Sequence, residues 1–293
     1  MHVLMIGGTR FIGPHVVRGL VALGHSVTVY HRGVTEADLP GGVHHIRDPA
    51  ATMPVLSFPR EALEPPLDAV IHMIPMGERD ARAAVETFRG RAGRLVALSS
   101  GDVYRAYGRF TGLEPGPVEE GPLSESSPLR TVSYPYRAQA KSPDDWAYSY
   151  EKILVERVTL AEPDLPGVVL RLPKVYGPGD NADLATIYAF RDHPRWRWTH
   201  GYVENVAQAV VLAACHPAAG GIYNVGEAVT PTVADRLARL PPSSSVAPSP
   251  MPANFDQHIV YDTSRIRREL GYAEPVSYEE GLRRTLGTGA RRV

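Results

Sequence analysis

Two side chains in this sequence are spaced for proton chemistry at a hydroxyl or carbonyl. Tyr148 stands four residues before Lys152 in Tyr148-Ser149-Tyr150-Glu151-Lys152, within a segment, Asp144–Leu160, whose apolar spacing predicts one helix. Positions i and i+4 share a helix face, so the ammonium would lie against the phenol and lower its pKa. A phenol tuned in this way can exchange a proton with a substrate oxygen near neutral pH. Tyr150, two residues before the lysine, would project to the opposite side of such a helix, so Tyr148 is the expected partner. Lys141, Lys152 and Lys174 are the only lysines beside 14 tyrosines, which makes the pairing uncommon by chance.

A second cluster suits phosphate binding. Val3-Leu4-Met5-Ile6 reads as a buried strand, and Gly7-Gly8-Thr9-Arg10-Phe11-Ile12-Gly13 leads from it into an apolar helix, Phe11–Leu23. Glycines there permit a tight turn and let a pyrophosphate approach the free N–H groups of the helix start. A dinucleotide is therefore expected on this turn. The next strand ends Val29-Tyr30-His31-Arg32, with a guanidinium where NAD-specific sites place a carboxylate on the ribose 2′-hydroxyl. Arg32, with Arg10 in the turn, is suited to clamp a 2′-phosphate, so NADP is expected ahead of NAD.

The elements that must carry these groups alternate. Strands are expected at Val3–Ile6, Ser26–Tyr30, His44–Ile46, Ala69–Met73, Leu95–Leu98 and Val168–Leu170. Helices are expected at Phe11–Leu23, Arg79–Phe88, Asp144–Leu160 and Val203–Cys215, with two short ones near Ser264–Leu270 and Tyr278–Leu286. This is the pattern of an α/β, Rossmann-type, doubly wound parallel sheet with a small C-terminal substrate lobe. Residues 1–171, completed by 201–226, would form the dinucleotide domain; 172–200 and 227–293 would form the lobe. The Pro/Ser-rich run from Pro241 to Pro252 reads as a surface loop.

Composition narrows the functional classes. Among the 293 residues, 31 are basic and 32 acidic, so no global field recruits nucleic acid or membrane. No apolar run approaches the roughly 20 residues needed to span a bilayer. One cysteine, Cys215, fits a reducing compartment, and the N-terminal strand is not a signal peptide, so a cytoplasmic location is expected. A metal site finds no support, since there is no His-Glu-x-x-His or paired-cysteine motif and His44-His45 would point to opposite strand faces. No Gly-x-Ser-x-Gly hydrolase elbow occurs either.

The glycine string, Leu98-Ser99-Ser100-Gly101-Asp102-Val103-Tyr104 and the Tyr-Lys pair together resemble the NAD(P)-dependent epimerase/dehydratase family, the extended branch of the short-chain dehydrogenases. Later strings continue the resemblance in order. They are Arg171-Leu172-Pro173-Lys174-Val175-Tyr176-Gly177-Pro178-Gly179, then Gly201-Tyr202-Val203-Glu204-Asn205-Val206-Ala207, then Tyr261-Asp262-Thr263-Ser264-Arg265 with Glu269-Leu270-Gly271-Tyr272. Arg10 departs from the family's middle glycine, and the Gly-Gly-Thr-Arg-Phe-Ile-Gly string is similar to a divergent subgroup that includes chloroplast stem-loop RNA-binding proteins.

The resemblance implies Ser100, Tyr148 and Lys152 as the catalytic trio. Ser100 would hold the reacting oxygen, Tyr148 would be the acid/base, and Lys152 its electrostatic partner and ribose ligand. It implies a cofactor site of Gly7, Thr9, Arg10, Phe11, Ile12, Gly13, Arg32, Met73, Ser99, Lys152, Pro173 and Val175, with Asp48 near the adenine. Dehydratases of the family carry an Asp-Glu pair directly after the serine or threonine; here Gly101-Asp102 breaks it. Substrate contacts would fall on Asp102, Tyr104, Arg197 and His200. The step from Gly177 to Tyr202 is only 25 residues. This trimmed lobe suggests a substrate smaller than a nucleotide sugar, or a different one. Its end, Arg195-Trp196-Arg197-Trp198-Thr199-His200, reads either as a stacking and anion site or as a strand packing its aromatics on one face.

The expected activity is an NADP(H)-dependent oxidoreductase or epimerase acting on a small molecule at a carbinol or carbonyl carbon. A nucleotide-sugar epimerase with tightly held NAD is the alternative. A further alternative is a dinucleotide-binding protein acting through RNA or a protein partner, drawing on local clusters such as Arg265-Arg267-Arg268 and Arg283-Arg284. Nucleic acid is the less favoured partner of a near-neutral chain. A homodimer is compatible with the resemblance.

Overall fold

A computed structural model describes residues 1–64, 66–180, 184–243, 247 and 253–289. Among the described residues nine strands appear: β1 (His2–Ile6), β2 (Ser26–His31), β3 (His44–Arg47), β4 (Ala69–His72), β5 (Leu95–Ser100), β6 (Gly167–Leu172), β7 (Lys174–Tyr176), β8 (His200–Tyr202) and β9 (Gly221–Asn224). Seven form one sheet in the order β3-β2-β1-β4-β5-β6-β9, and every pairing in it is parallel. β7 and β8 form a separate parallel pair.

Parallel strands need crossovers, and the helices supply them on both faces. In β1, Val3 and Met5 point into one core and Leu4 and Ile6 into the other. The first core is closed by α1 (Ile12–Ala22), α7 (Val203–Cys215) and α9 (Ser264–Leu270). The second is closed by α2 (Glu78–Phe88), which packs beside α5 (Lys152–Ala161). Two buried faces explain why these strands read as continuous apolar runs rather than alternating ones. The chain steps from β1 out to β2 and β3 on one side and then returns to place β4 on the other, so the crevice beyond the C-terminal end of β1 opens at a switch point where such sheets bind ligands.

Remaining short helices are α3 (Arg105–Thr111), α4 (Trp146–Ser149), α6 (Ala185–Ala189) and α8 (Val233–Leu237), with α10 (Tyr278–Gly289) closing the chain. The aromatic cluster of Phe110, Phe190, Trp196, Tyr261 and neighbours packs this C-terminal part together. Of the Pro241–Pro252 run, 244–246 and 248–252 lie outside the described residues.

One expected element divides. Asp144–Leu160 is not a single helix: α4 ends at Ser149, Tyr150 and Glu151 are extended, and α5 starts at Lys152. Local capping dictates the break. Asp145 accepts from Ala147 N at 3.0 Å to start α4, and Glu151 accepts from Ile153 N at 3.1 Å to start α5. Glu151 is also tied down by its own N–H on Met76 O (2.9 Å) and by Arg130 (2.9 Å). An uninterrupted helix would forfeit that buried ion pair.

Candidate active site

The β1–α1 turn is shaped for close approach. Gly7 and Gly8 take φ of 80° and 114°, and a Cβ on Gly13 would meet the Gly8 backbone at 2.3 Å. α1 begins with no side-chain cap and no acidic residue in its first turn, which leaves its N–H groups for an anion. A cleft of about 460 Å³ opens there. Its lining includes Gly7, Thr9, Arg10, Phe11, Ile12, Arg32, Met73, Ser99 and Lys152, as the sequence leads one to expect. Gly13 lies beneath the turn. Pro173 and Val175 do not line the cleft, although Leu172 does.

Asp48 also stands back from the cleft wall. Its Oδ2 accepts the Tyr30 hydroxyl at 2.9 Å, so it acts on the cleft by holding Tyr30, which does line it. No carboxylate lines the cleft among the described residues, while Arg10, His31, Arg32 and Lys152 do. Arg10 and Arg32 are exposed, and neither has an ion-pair partner among the described residues. His31 accepts the Gly33 N–H at 3.2 Å on Nδ1 and meets His45 at 3.1 Å through Nε2. Burial holds its pKa below the ordinary value.

At the sheet's C-terminal edge the break between α4 and α5 sends the two tyrosines in different directions. Tyr148 does not share a helix face with Lys152. It is 39% exposed, with the Arg137 guanidinium 4.7 Å above its ring. Tyr150 turns inward instead and is buried. Its hydroxyl donates to Asp102 Oδ2 at 2.9 Å and lies within hydrogen-bonding reach of Ser100. Lys152 Nζ stands 5.5 Å from the Tyr150 ring centre and donates to Leu98 O at 3.0 Å and to Pro75 O. Burial lowers the Lys152 pKa to about 8, against the attraction of Asp102, Asp80 and Glu156.

The remaining predicted residues separate by burial. Ser99 donates to Glu156 Oε1 at 2.6 Å, and Glu156 in turn is held by Arg171 at 2.9 and 2.7 Å, all inside the protein. The β5–β6 register places Ser99 opposite Arg171, which explains the cluster. Tyr104 is fully buried; its hydroxyl donates to Asn224 Oδ1 at 2.5 Å. His200 is buried with Nδ1 2.7 Å from Trp198 O, and desolvation pulls its pKa well down, so it is neutral. Arg197 is exposed. Trp196 stacks on Phe110 with centroids 4.7 Å apart, so the Arg-Trp alternation turns its aromatics into the core and its arginines outward.

Sequence reasoning missed Tyr136, Tyr107 and Arg130. Tyr136 donates to Asp102 Oδ2 at 2.9 Å and lies 3.1 Å from the Tyr107 hydroxyl; Arg130 donates to the Asp102 carbonyl. They come from loops and α3, with no motif to mark them. A signal for Tyr150 did exist: Asp145 and Glu151 are both capping residues, spaced to begin two helices rather than one. Gly101 proves to be constrained as well, since a Cβ there would stand 1.5 Å from the Tyr261 hydroxyl.

The basic clusters of the C-terminal helices are matched by carboxylates. Arg265 pairs with Glu269 (3.2 Å), Arg267 with Glu274 (2.5 Å), Arg283 with Glu280 (2.6 Å) and Arg284 with Glu204 (2.9 Å). Among the described residues, no helix is long and apolar enough to cross a membrane.

Known proteins show the same ground plan. A 2′-dehydrokanamycin reductase of Streptomyces kanamyceticus is 32% identical over 188 residues, 62% of this chain and 45% of that protein. The chain thus aligns with under half the length of that reductase. A dTDP-glucose 4,6-dehydratase of Actinoplanes sp. is 26% identical over 98% of this chain and 97% of its own length. The solved UDP-glucose 4-epimerase of Thermus thermophilus, a complex with NAD, is 24% identical with a TM-score of 0.68 and full coverage of both chains, which shows a shared fold. The profile of the NAD dependent epimerase/dehydratase family matches residues 3–226, and the chain belongs to that family of NAD-dependent enzymes.

Proposed function

We propose that the protein is an NADP(H)-dependent oxidoreductase or epimerase that acts at a carbinol or carbonyl carbon of a molecule smaller than a nucleotide sugar. One observation carries the cofactor preference: Arg10 and Arg32, without an ion-pair partner among the described residues, stand on a cleft whose described lining holds no carboxylate. A 2′-phosphate would meet two guanidiniums there, and nothing in that lining would repel it. The glycine turn and the uncapped start of α1 would hold the pyrophosphate, and Tyr30, fixed by Asp48, would wall the adenosine end. A nicotinamide dinucleotide, when bound, supplies or accepts the hydride.

In this reading Tyr150 takes the acid/base place expected of Tyr148. It is the tyrosine beside both Ser100 and Lys152, and Ser100 would hold the reacting oxygen against it. Lys152, at the cleft wall, would bind ribose hydroxyls with the donor capacity that Leu98 and Pro75 leave over. Elimination of water is disfavoured, because the residue after Ser100 has no side chain and Tyr261 fills its space. We assign the dinucleotide to residues 1–171 with 201–226, and the substrate to 172–200 with 227–293.

The short span from Gly177 to Tyr202, and a relative named for reducing 2′-dehydrokanamycin, support the smaller substrate. The full-length likeness to a dTDP-glucose 4,6-dehydratase favours the second reading, a nucleotide-sugar epimerase that retains NAD. An RNA-binding reading draws no support from C-terminal arginines already paired with carboxylates. The nucleotide released when the purified protein is denatured distinguishes the first two. Partial occupancy by a 2′-phosphorylated dinucleotide supports the reductase, and stoichiometric NAD supports the epimerase.

A further inference from the structure

The hydroxyl of Tyr150 has an acceptor that a tyrosine–lysine pair alone does not provide. Asp102 is buried, 4% exposed, and its Oδ2 receives the Tyr150 hydroxyl and the Tyr136 hydroxyl, each at 2.9 Å. Its Oδ1 is buried and has no hydrogen-bond partner among the described residues. Lys152, by contrast, spends two donors on the carbonyls of Pro75 and Leu98 and lies over the tyrosine ring rather than on its hydroxyl.

Resting on the reading of Tyr150 above, we infer that Asp102 is the proton acceptor behind it. When a substrate hydroxyl is oxidised, its proton passes to the Tyr150 oxygen as the proton already on Tyr150 passes to Asp102 Oδ2. The electron pair of the carbinol C–H bond leaves as hydride to the oxidised dinucleotide, so the substrate becomes a carbonyl. Tyr150 is a neutral phenol before and after. Carbonyl reduction runs the same transfers backward, from a protonated Asp102.

Three features of the surroundings fit this role. A tyrosinate beside the Asp102 carboxylate would place two anions in contact inside the protein; the concerted transfer avoids that state. Burial raises the Asp102 pKa, against the opposing hydrogen bonds from Tyr150 and Tyr136 and the charges of Arg130 and Lys152, so the carboxylate is a stronger base than an exposed aspartate. Tyr136 and Tyr107, both half-buried residues with hydroxyls 3.1 Å apart, extend the hydrogen-bonded chain beyond the carboxylate and would relay the proton onward. The charged groups that face Asp102 are Arg130 and Lys152, with the hydroxyls of Tyr107, Tyr136, Tyr150 and Tyr261 around them. Asp102 acts through Tyr150 and is a positioning residue in that sense.

The test needs no substrate. The aspartate carboxyl carbons of the full-length protein, labelled with ¹³C, are titrated by NMR with and without NADP, and the Asp102 signal is identified by its loss in Asp102→Asn. Tyr150→Phe removes one donor from the carboxylate and should raise the Asp102 pKa by about one unit; Tyr148→Phe should leave it in place. Tyr136→Phe, which removes the other donor, should raise it similarly and serves if Tyr150→Phe does not fold. An Asp102 signal unmoved by both inward tyrosine variants overturns the inference, as does a carboxyl still protonated at about pH 9, which would have no capacity to accept. Failure of NADP to bind would instead defeat the functional reading and leave these titrations as they are.

Discussion

The Tyr261 hydroxyl lies 1.5 Å from the point where a Cβ on Gly101 would stand. Tyr261 is buried, and it bonds Leu172 O at 3.3 Å, so it has no room to withdraw. Gly101→Asp would place a carboxylate in filled space. Overpacking of this kind costs about 1–3 kcal/mol, with an unpaired buried charge added to it. Thermal denaturation should show a large fall in Tm, and the variant should not gain dehydratase activity. A variant as stable as the parent would mean that Tyr261 moves freely.

The two tyrosines make opposite predictions. Tyr150→Phe should lower turnover about 100-fold or more, the usual loss for a general acid/base, and Tyr148→Phe should leave it within about threefold. Steady-state kinetics with NADP and a carbinol that reduces it would measure both. The reverse pattern would restore Tyr148 to the site.

Glu156 neutralises Arg171 through two hydrogen bonds deep in the protein, where neither side chain exceeds 3% exposure. Glu156→Gln would leave the guanidinium uncompensated, and stability should fall by about 3–5 kcal/mol. Urea denaturation checks this. A loss under about 1 kcal/mol would show that the buried pair contributes little.

Lys152 carries its own pH dependence. Its pKa is lowered to about 8 in the folded protein, against 10.5 for the ordinary side chain. Between those values the unfolded chain binds more protons than the folded one, so this group makes stability rise with pH across that window. Below pH 8 the buried ammonium weighs fully against the fold. NMR of ¹³C-methylated lysines is simplified by there being only three. One of them should titrate near pH 8 and be lost in Lys152→Met; three lysines titrating near 10.5 would contradict the site's geometry.

The sheet was legible because its strands are buried on both faces and therefore spell unbroken apolar runs; all six expected strands fall on observed ones. The glycine turn was legible for a similar reason, as close backbone contact admits few residue types. The inward tyrosine was not. Helical periodicity in 144–160 is genuine on either side of Tyr150, and the two intervening residues depart from it for tertiary reasons. Glu151 is held by Arg130 and by the Tyr134 N–H (2.6 Å), contacts that come from a loop 17–21 residues away. Tyr104 and His200 have residue types suited to substrate, but their polar atoms face internal partners, which composition does not reveal.

Arg10 and Arg32, which have no carboxylate partner among the described residues, are proposed to make this cleft a site for a 2′-phosphorylated dinucleotide. Fluorescence titration of the purified, nucleotide-free protein with NADPH and with NADH tests it most directly, alongside Arg32→Ala. Charge-assisted contacts to the extra phosphate should make NADPH bind about tenfold or more tighter, and Arg32→Ala should remove most of that difference while leaving NADH unchanged. Equal affinities, or a preference for NADH that survives the substitution, would contradict it.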